Sequence, residues 1–273
     1  GLMKRLWLAL ALLVCCKKIG DVRTVDVSGD AQGTPSAPAS VQLTLSAGEL
    51  HLTPGGAHTI GGSVRSNVKD LDPKVDAASD HVRVNQGTGA DGAKIGSELV
   101  ADWRLTMGPS PVSLSVDAGA AKTQLELGGL AIKSVKLTST SGSVDMSFGQ
   151  SNPLAADEID IDSGSGAITL TGAGAFGASK IHAHAGVGIT IDLGNKVDRE
   201  VMVDIEATQG AVTVKVPSNV TARALVTQAS NQVTAVGWIK EGDTLTLGGP
   251  TPNPQVTIKA KSGGGMITLV AGN

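Results

Sequence analysis

Aromatic side chains are almost missing from this chain: three Trp, two Phe and no Tyr in 273 residues. Most globular cores rely on rings for much of their buried area. Without them an interior must be filled by Val, Ile, Leu and Ala, which suits the thin, regular core of a repeat protein. The shortage also removes the platforms on which bases stack. Positive charge has no surplus, with 22 Lys and Arg against 25 Asp and Glu and a net charge of −3. With no excess of cations to meet phosphates, nucleic acid is excluded as a partner. The only two cysteines are adjacent, Cys15 and Cys16. They exclude a disulfide framework and a zinc knuckle in the rest of the chain. The one uninterrupted apolar run, Leu6 to Val14, has nine residues, about half of what a helix needs to span a bilayer.

That short run has another meaning. Lys4 and Arg5 precede it and Cys15 and Cys16 follow it, the order of a secretory signal peptide. The stretch Leu13-Val14-Cys15-Cys16 resembles a bacterial lipobox, with Cys16 as the lipid-modified residue and Cys15 as the alternative. The competing reading is a plain signal peptide cleaved nearby. Gly1 and Leu2 precede Met3 and lie outside this assignment. Residues 1–16 are thus expected to be an export signal and membrane anchor. Residues 17–40, rich in Gly, Ser, Pro and Ala around Gly29 to Pro38, are expected to be a flexible tether.

From Val41 onward the residues alternate with period two, the mark of strands with one buried face. Segments starting near Val112, Ser134, Glu158, Lys180, Val201 and Arg223 succeed one another at steps of 22, 24, 22, 21 and 22 residues. Each holds an alternating strand such as Val201 to Ile205, a small turn such as Ala207 to Gly210, a second strand such as Val212 to Val216, and a Gly- or Pro-bearing corner. Phase is kept across the turn. Leu45 and Leu52, Leu137 and Val144, Ile161 and Ile168, Ile205 and Val212, and Val226 and Val233 are each seven apart; Ala183 and Ile189 are six apart. A one-residue slip would turn a strand's buried face outward, so a fixed offset signals a fixed register. The expected fold is all-β: a single-domain parallel β-solenoid of two-strand rows about 22 residues long. Its core is read as Val135, Leu137, Val144, Met146, Ile159, Ile161, Ile168, Leu170, Ile181, Ile189, Ile191, Val203, Ile205, Val212 and Val214. Residues 41–111 are expected to form an irregular N-terminal cap, and 112–273 the regular rows. A sandwich of antiparallel hairpins would also alternate, but it does not require so steady a row length.

Four stretches carry a family resemblance: Val41 to Leu50, Trp103-Arg104-Leu105, Leu125 to Leu130 and Ser141-Gly142-Ser143-Val144. In pattern they resemble the toast-rack family of bacterial adhesin-like proteins, over roughly residues 41–240. The resemblance implies a solenoid fold and a place in the cell envelope. Relatives with membrane segments are linked to envelope-stress signalling. The family supplies no catalytic motif to carry over.

The residues themselves offer little chemistry. There is no Gly-x-Ser-x-Gly elbow, no phosphate-binding glycine loop before a helix and no His-Glu-x-x-His. Solenoids do host polysaccharide-cleaving enzymes, but sugar chemistry calls for paired carboxylates and for the aromatic platforms this chain lacks. No enzyme is expected. One constellation stands out. If the rows stack in register, two outward ladders form side by side: Asp160, His182 and Asp204, then Asp162, His184 and Glu206. Imidazoles flanked by carboxylates could hold a divalent ion such as zinc, the one cofactor the sequence suggests. Equally, alternating charge up a parallel sheet avoids repulsion, and Glu158 beside Lys180 fits that simpler account.

The sequence therefore points to a non-enzymatic structural or interaction protein of the bacterial envelope, on the surface or the periplasmic side. Its expected partners are the membrane, through the N-terminal lipid, and an envelope protein or glycan. Alternatives are a regulatory subunit of an envelope-stress sensor and a metal- or glycan-binding module. The last strands, Val256 to Ile258 and Ile267 to Leu269, are expected at an open stack end, where they could pair with a second copy.

Overall fold

The computed structural model describes residues 20–87, 99–228, 232–242, 244–248 and 255–272. The signal segment with Cys15 and Cys16 lies outside the described residues. In chain order the strands are β1 (Arg23–Gly29), β2 (Ala39–Thr44), β3 (Glu49–Pro54), β4 (Ile60–Ser66), β5 (Pro73–Ala78), β6 (His81–Gln86), β7 (Ala101–Met107), β8 (Val112–Asp117), β9 (Lys122–Glu126), β10 (Ile132–Ser139), β11 (Val144–Ser147), β12 (Glu158–Ser163), β13 (Ala167–Thr171), β14 (Lys180–Ala185), β15 (Gly188–Asp192), β16 (Val201–Ala207), β17 (Val212–Pro217), β18 (Ala222–Gln228), β19 (Val233–Val236), β20 (Ile239–Glu241), β21 (Thr244–Leu247), β22 (Val256–Ser262) and β23 (Ile267–Gly272). A four-residue helix, Ala173–Phe176, fills one corner.

The strands form two sheets. Sheet A has the order β1-β4-β7-β3-β9-β11-β13-β15-β17-β23-β19, and sheet B the order β20-β21-β18-β22-β16-β14-β12-β10-β8-β2-β6-β5. Each row gives one strand to each sheet, and rows stack in parallel. Alternation decides what lies between the sheets. One column of sheet B runs Val82, Val41, Leu114, Val135, Ile159, Ile181, Val203, Ile258 and Ala224. Its counterpart in sheet A runs Leu105, Leu52, Leu125, Met146, Leu170, Ile191, Val214, Leu269 and Ala235. All fifteen residues expected in the core are at most 2% exposed. Burying each medium aliphatic side chain contributes about 1.5–3 kcal/mol, which is how a core with few rings is held. The two phenylalanines sit together at a corner, Phe148 against Phe176 with ring centroids 4.7 Å apart.

A repeated turn joins the sheets. Ser139, Ser163 and Ser262 close their strands inward, all nearly buried. Each hydroxyl accepts the backbone N–H three residues on, from Gly142, Gly166 and Gly265 at 3.1, 3.1 and 2.9 Å. The turns nest closely in the stack. A Cβ on Gly210 would lie 0.7 Å from the Val187 carbonyl oxygen, so only glycine fits there.

Several expectations need correction. The stretch 17–40 is not all tether. Strand β1 pairs antiparallel with β4 along its whole length, from Arg23 opposite Ser66 to Gly29 opposite Ile60. Val27 on it is buried, and Gly29 is pressed on Val82, where a Cβ would come within 2.5 Å of a methyl. The alternation of Val25 and Val27 lay beneath a composition typical of linkers. The cap is also smaller than 41–111, because β2 with β3 and β6 with β7 are rows of the stack; at this end the strands added antiparallel to the rows are β4, β1 and β5. Finally, the row order departs from the chain order. β22 lies between β16 and β18, and β23 between β17 and β19. The last strands are therefore interior, paired on both edges, and do not form an open end.

Candidate functional site

The outward face of sheet B carries the ladders expected from the sequence. Asp160, His182 and Asp204 share one column, and Asp162, His184 and Glu206 the next. The interposed β22 extends both with cations: Lys259 lies opposite Asp204 and Lys261 opposite Glu206. On the other side Lys136 lies opposite Asp160. The first column thus reads Lys136, Asp160, His182, Asp204, Lys259, alternating in sign wherever histidine is protonated. Neighbouring strands are about 4.8 Å apart, so unlike charges are adjacent and like charges are about 10 Å apart.

Side chains in the second column pair in twos. His184 Nδ1 is 3.1 Å from Asp162 Oδ1, where the protonated nitrogen donates. Its Nε2 is 3.4 Å from Thr208 Oγ1. The Lys261 ammonium donates to Glu206 Oε1. That hydrogen bond holds the Glu206 carboxyl below its usual range; slight burial opposes it, and the charges of Lys261, His184 and His182 add to it. Among the described residues no three His, Cys, Asp or Glu side chains converge as a metal-binding group. The six residues proposed from the sequence are thus neighbours in register, and among them His184 pairs with Asp162 while Glu206 pairs with Lys261.

Other histidines also lie beside carboxylates. His58 lies 2.8 Å from Asp30, and His81 lies 2.8 Å from Asp80. The hydrogen bond with each histidine is the largest cause that lowers the pKa of Asp30 and Asp80. His51 lies 3.7 Å from Glu49.

The outward face of sheet A is different. Thr169, Thr190, Thr213, Thr268 and Thr234 occupy successive positions in one column. Threonine suits a half-exposed strand, and its stacked hydroxyls and methyls support one another. Towards the other end a shallow groove of about 250 Å³ is bordered by His51, Gln124, Glu126, Asp145 and Thr169.

This architecture defines a parallel β-solenoid of the toast-rack type, closed into no barrel. The chain belongs to that family: the family model for the N-terminal domain of toast_rack matches residues 19–171. Three crystal structures match most of the chain at low identity. A "putative cell adhesion protein" from Clostridium sporogenes ATCC 15579 has 14% identity and a TM-score of 0.48, covering 92% of this chain and 99% of that one. A "putative adhesin" from Bacteroides fragilis NCTC 9343 has 12% identity and a TM-score of 0.43, covering 92% and 97%. A "putative adhesin" from Parabacteroides merdae ATCC 43184 has 13% identity and a TM-score of 0.40, also covering 92% and 97%. No curated protein matches the chain.

Proposed function

We propose that this protein is a non-enzymatic structural and interaction module of the bacterial cell envelope, adhesin-like in its role. It is held to the membrane by lipid on Cys16 and presents the outward face of sheet B to an envelope protein or glycan. The observation that carries this reading is the charged face itself. Its alternating columns run over five consecutive strands, from β10 to β22, on a scaffold whose spacing is fixed by the buried columns behind it. Such a face is rigid before it meets a partner, so little ordering entropy is lost on contact. The exposed pairs contribute only about 0–1 kcal/mol each to stability, which leaves their charges available for recognition.

The test is capture from envelope extracts by the full chain, compared with a variant carrying Asp160→Lys and Asp204→Lys. Wild type should retain a specific protein or glycan that the variant loses. Equal capture by both would overturn the assignment of this face. For the anchor, Cys16→Ser should move the protein out of the membrane fraction. An unchanged membrane fraction with Cys16→Ser, but release with Cys15→Ser, would shift the lipid to Cys15. For the ladder, zinc calorimetry on wild type and on the double variant His182→Ala, His184→Ala should give the same isotherm, because His184 is engaged with Asp162 and Glu206 with Lys261. A wild-type binding isotherm that the variant loses would restore the metal reading.

A further inference from the structure

The four sheet ends of this stack are not finished alike. At the N-terminal end β1 closes sheet A antiparallel to β4, and β5 closes sheet B antiparallel to β6; β1 and β5 also meet each other. At the other end sheet B runs past the last row by two antiparallel strands, β21 and β20. Among the described residues sheet A ends at β19, a parallel row strand. Sheet B therefore overhangs sheet A by two strands, about 10 Å at ordinary strand spacing.

At this step Trp238, Leu245 and Leu247 cover the core, but among the described residues the outer edges of β19 and β20 have no strand beside them. Val233 and Val236 on β19 are 41% and 56% exposed. The strand Val233-Thr234-Ala235-Val236 has no charge and no proline, the devices that usually protect an edge. On the overhang Ile239, Lys240 and Glu241 are all exposed, Ile239 by 56%. β21 behind it is largely buried, with Leu245, Thr246 and Leu247 all covered, so the exposed margin of the overhang is β20 itself.

We propose that a second copy of this chain fills the step, so that the overhang of each molecule completes sheet A of the other. The directions agree. β20 is antiparallel to β21, and β21 to β18, so β20 runs as β18 does. The chain reverses between the two sheets of a row, so β19 runs the opposite way. A twofold axis along the strands lays the partner's sheet B beyond sheet A without changing strand direction, and the partner's β20 meets β19 antiparallel. The faces agree too. Thr234 and Val236 point outward with Thr268 and Val270, while Ile239 and Glu241 share the outward phase of Thr246 and Thr244. The register that pairs every residue of β20 sets Val236 opposite the partner's Ile239 and Thr234 opposite the partner's Glu241. Ala235, a small side chain, then leaves room for the stem of the partner's Lys240. The contact is isologous and closes at two copies. A second copy is the occupant because step and overhang match in height, direction and phase within one molecule.

Two measurements test this. In the full chain with Cys15→Ser and Cys16→Ser, copies carrying Val236→Cys are co-expressed with copies carrying Ile239→Cys. Opposed antiparallel residues lie about 4.5–5.5 Å apart between Cα atoms, within disulfide range, so a mixed disulfide dimer should form. Val75→Cys with Ile239→Cys, at opposite ends of the stack, is the control, and a mixed-disulfide yield no greater than this control overturns the proposal. Sedimentation equilibrium of the full chain in mild detergent should show a dimer. Thr234→Glu, set against the partner's Glu241, should weaken it about tenfold or more, and adding Glu241→Lys should restore it. A monomer at all concentrations, or a dimer indifferent to Thr234→Glu, overturns the proposal and leaves the β19 edge to a strand of some other protein.

Discussion

Ser163 shows how single residues hold the turns. Its buried hydroxyl accepts the Gly166 N–H at 3.1 Å, so Ser163→Ala leaves that donor without its partner in the stack. We expect a loss of about 1–3 kcal/mol, read as a lower denaturant midpoint with an unchanged slope. Glycines divide by what surrounds them. Gly210→Ala drives a Cβ into the Val187 carbonyl, whereas a Cβ on Gly149 meets nothing within 4 Å. The first substitution should abolish or severely lower the melting transition, and the second should leave it within about 1 kcal/mol of wild type. The titrating residues point one way. Asp30, Asp80 and Glu206 all have lowered pKa values in the fold. Their contribution is therefore complete above the unfolded values, 3.8 for Asp and 4.5 for Glu, and is lost as pH falls through the lower folded values. Melting temperature should drop on acidification below about pH 4.5, and Glu206→Gln should make that drop shallower. Glu206 and Lys261 join two strands, whereas Asp30 and His58 join two loops. The ladder partners were legible in the sequence only through the row offset, and Asp30 with His58 was not legible at all, because their neighbourhood depends on β1 lying against β4.

Among the elements, the last row carries the largest surprise, and its position has a physical reason. β18 and β22 take the same register on each other, Ala222 with Val256 and Ala224 with Ile258, so by spacing alone either could lie beside β16. β22 brings Val256 and Ile258 to the interior where β18 brings Ala222 and Ala224, and larger aliphatics fill a layer covered on both sides. β22 also sets Lys259 and Lys261 against Asp204 and Glu206, where β18 would set Leu225 and Thr227. Core volume and charge both favour β22 inside. A chain ending before residue 255 should thus lose more than one terminal row. It leaves β16 and β17 without their neighbours, and we expect protease sensitivity spreading back from residue 201, against a resistant full chain. Hydrogen exchange in the intact protein should protect β22 and β23 as strongly as the central rows, because both their edges are paired.

The whole molecule is a short rod. Twelve strands in the longer sheet, at about 4.8 Å each, give a body about 55 Å long. Small-angle scattering should report that length for a single copy and about twice as much for the interlocked pair. Rows contact mainly their neighbours, so stability accumulates row by row.

The sequence by itself determined which residues face inward, how long each row is and which outward residues align within consecutive rows. Those features follow from a period of two and a fixed offset across a turn, both local. Only the tertiary structure decided where β1 attaches, how the ends are finished and which row lies beside β16. Parallel strands of equal length satisfy the same backbone pairing in any order. The choice among them rests on side-chain volume and charge meeting across segments far apart in the chain, and no local periodicity encodes that meeting.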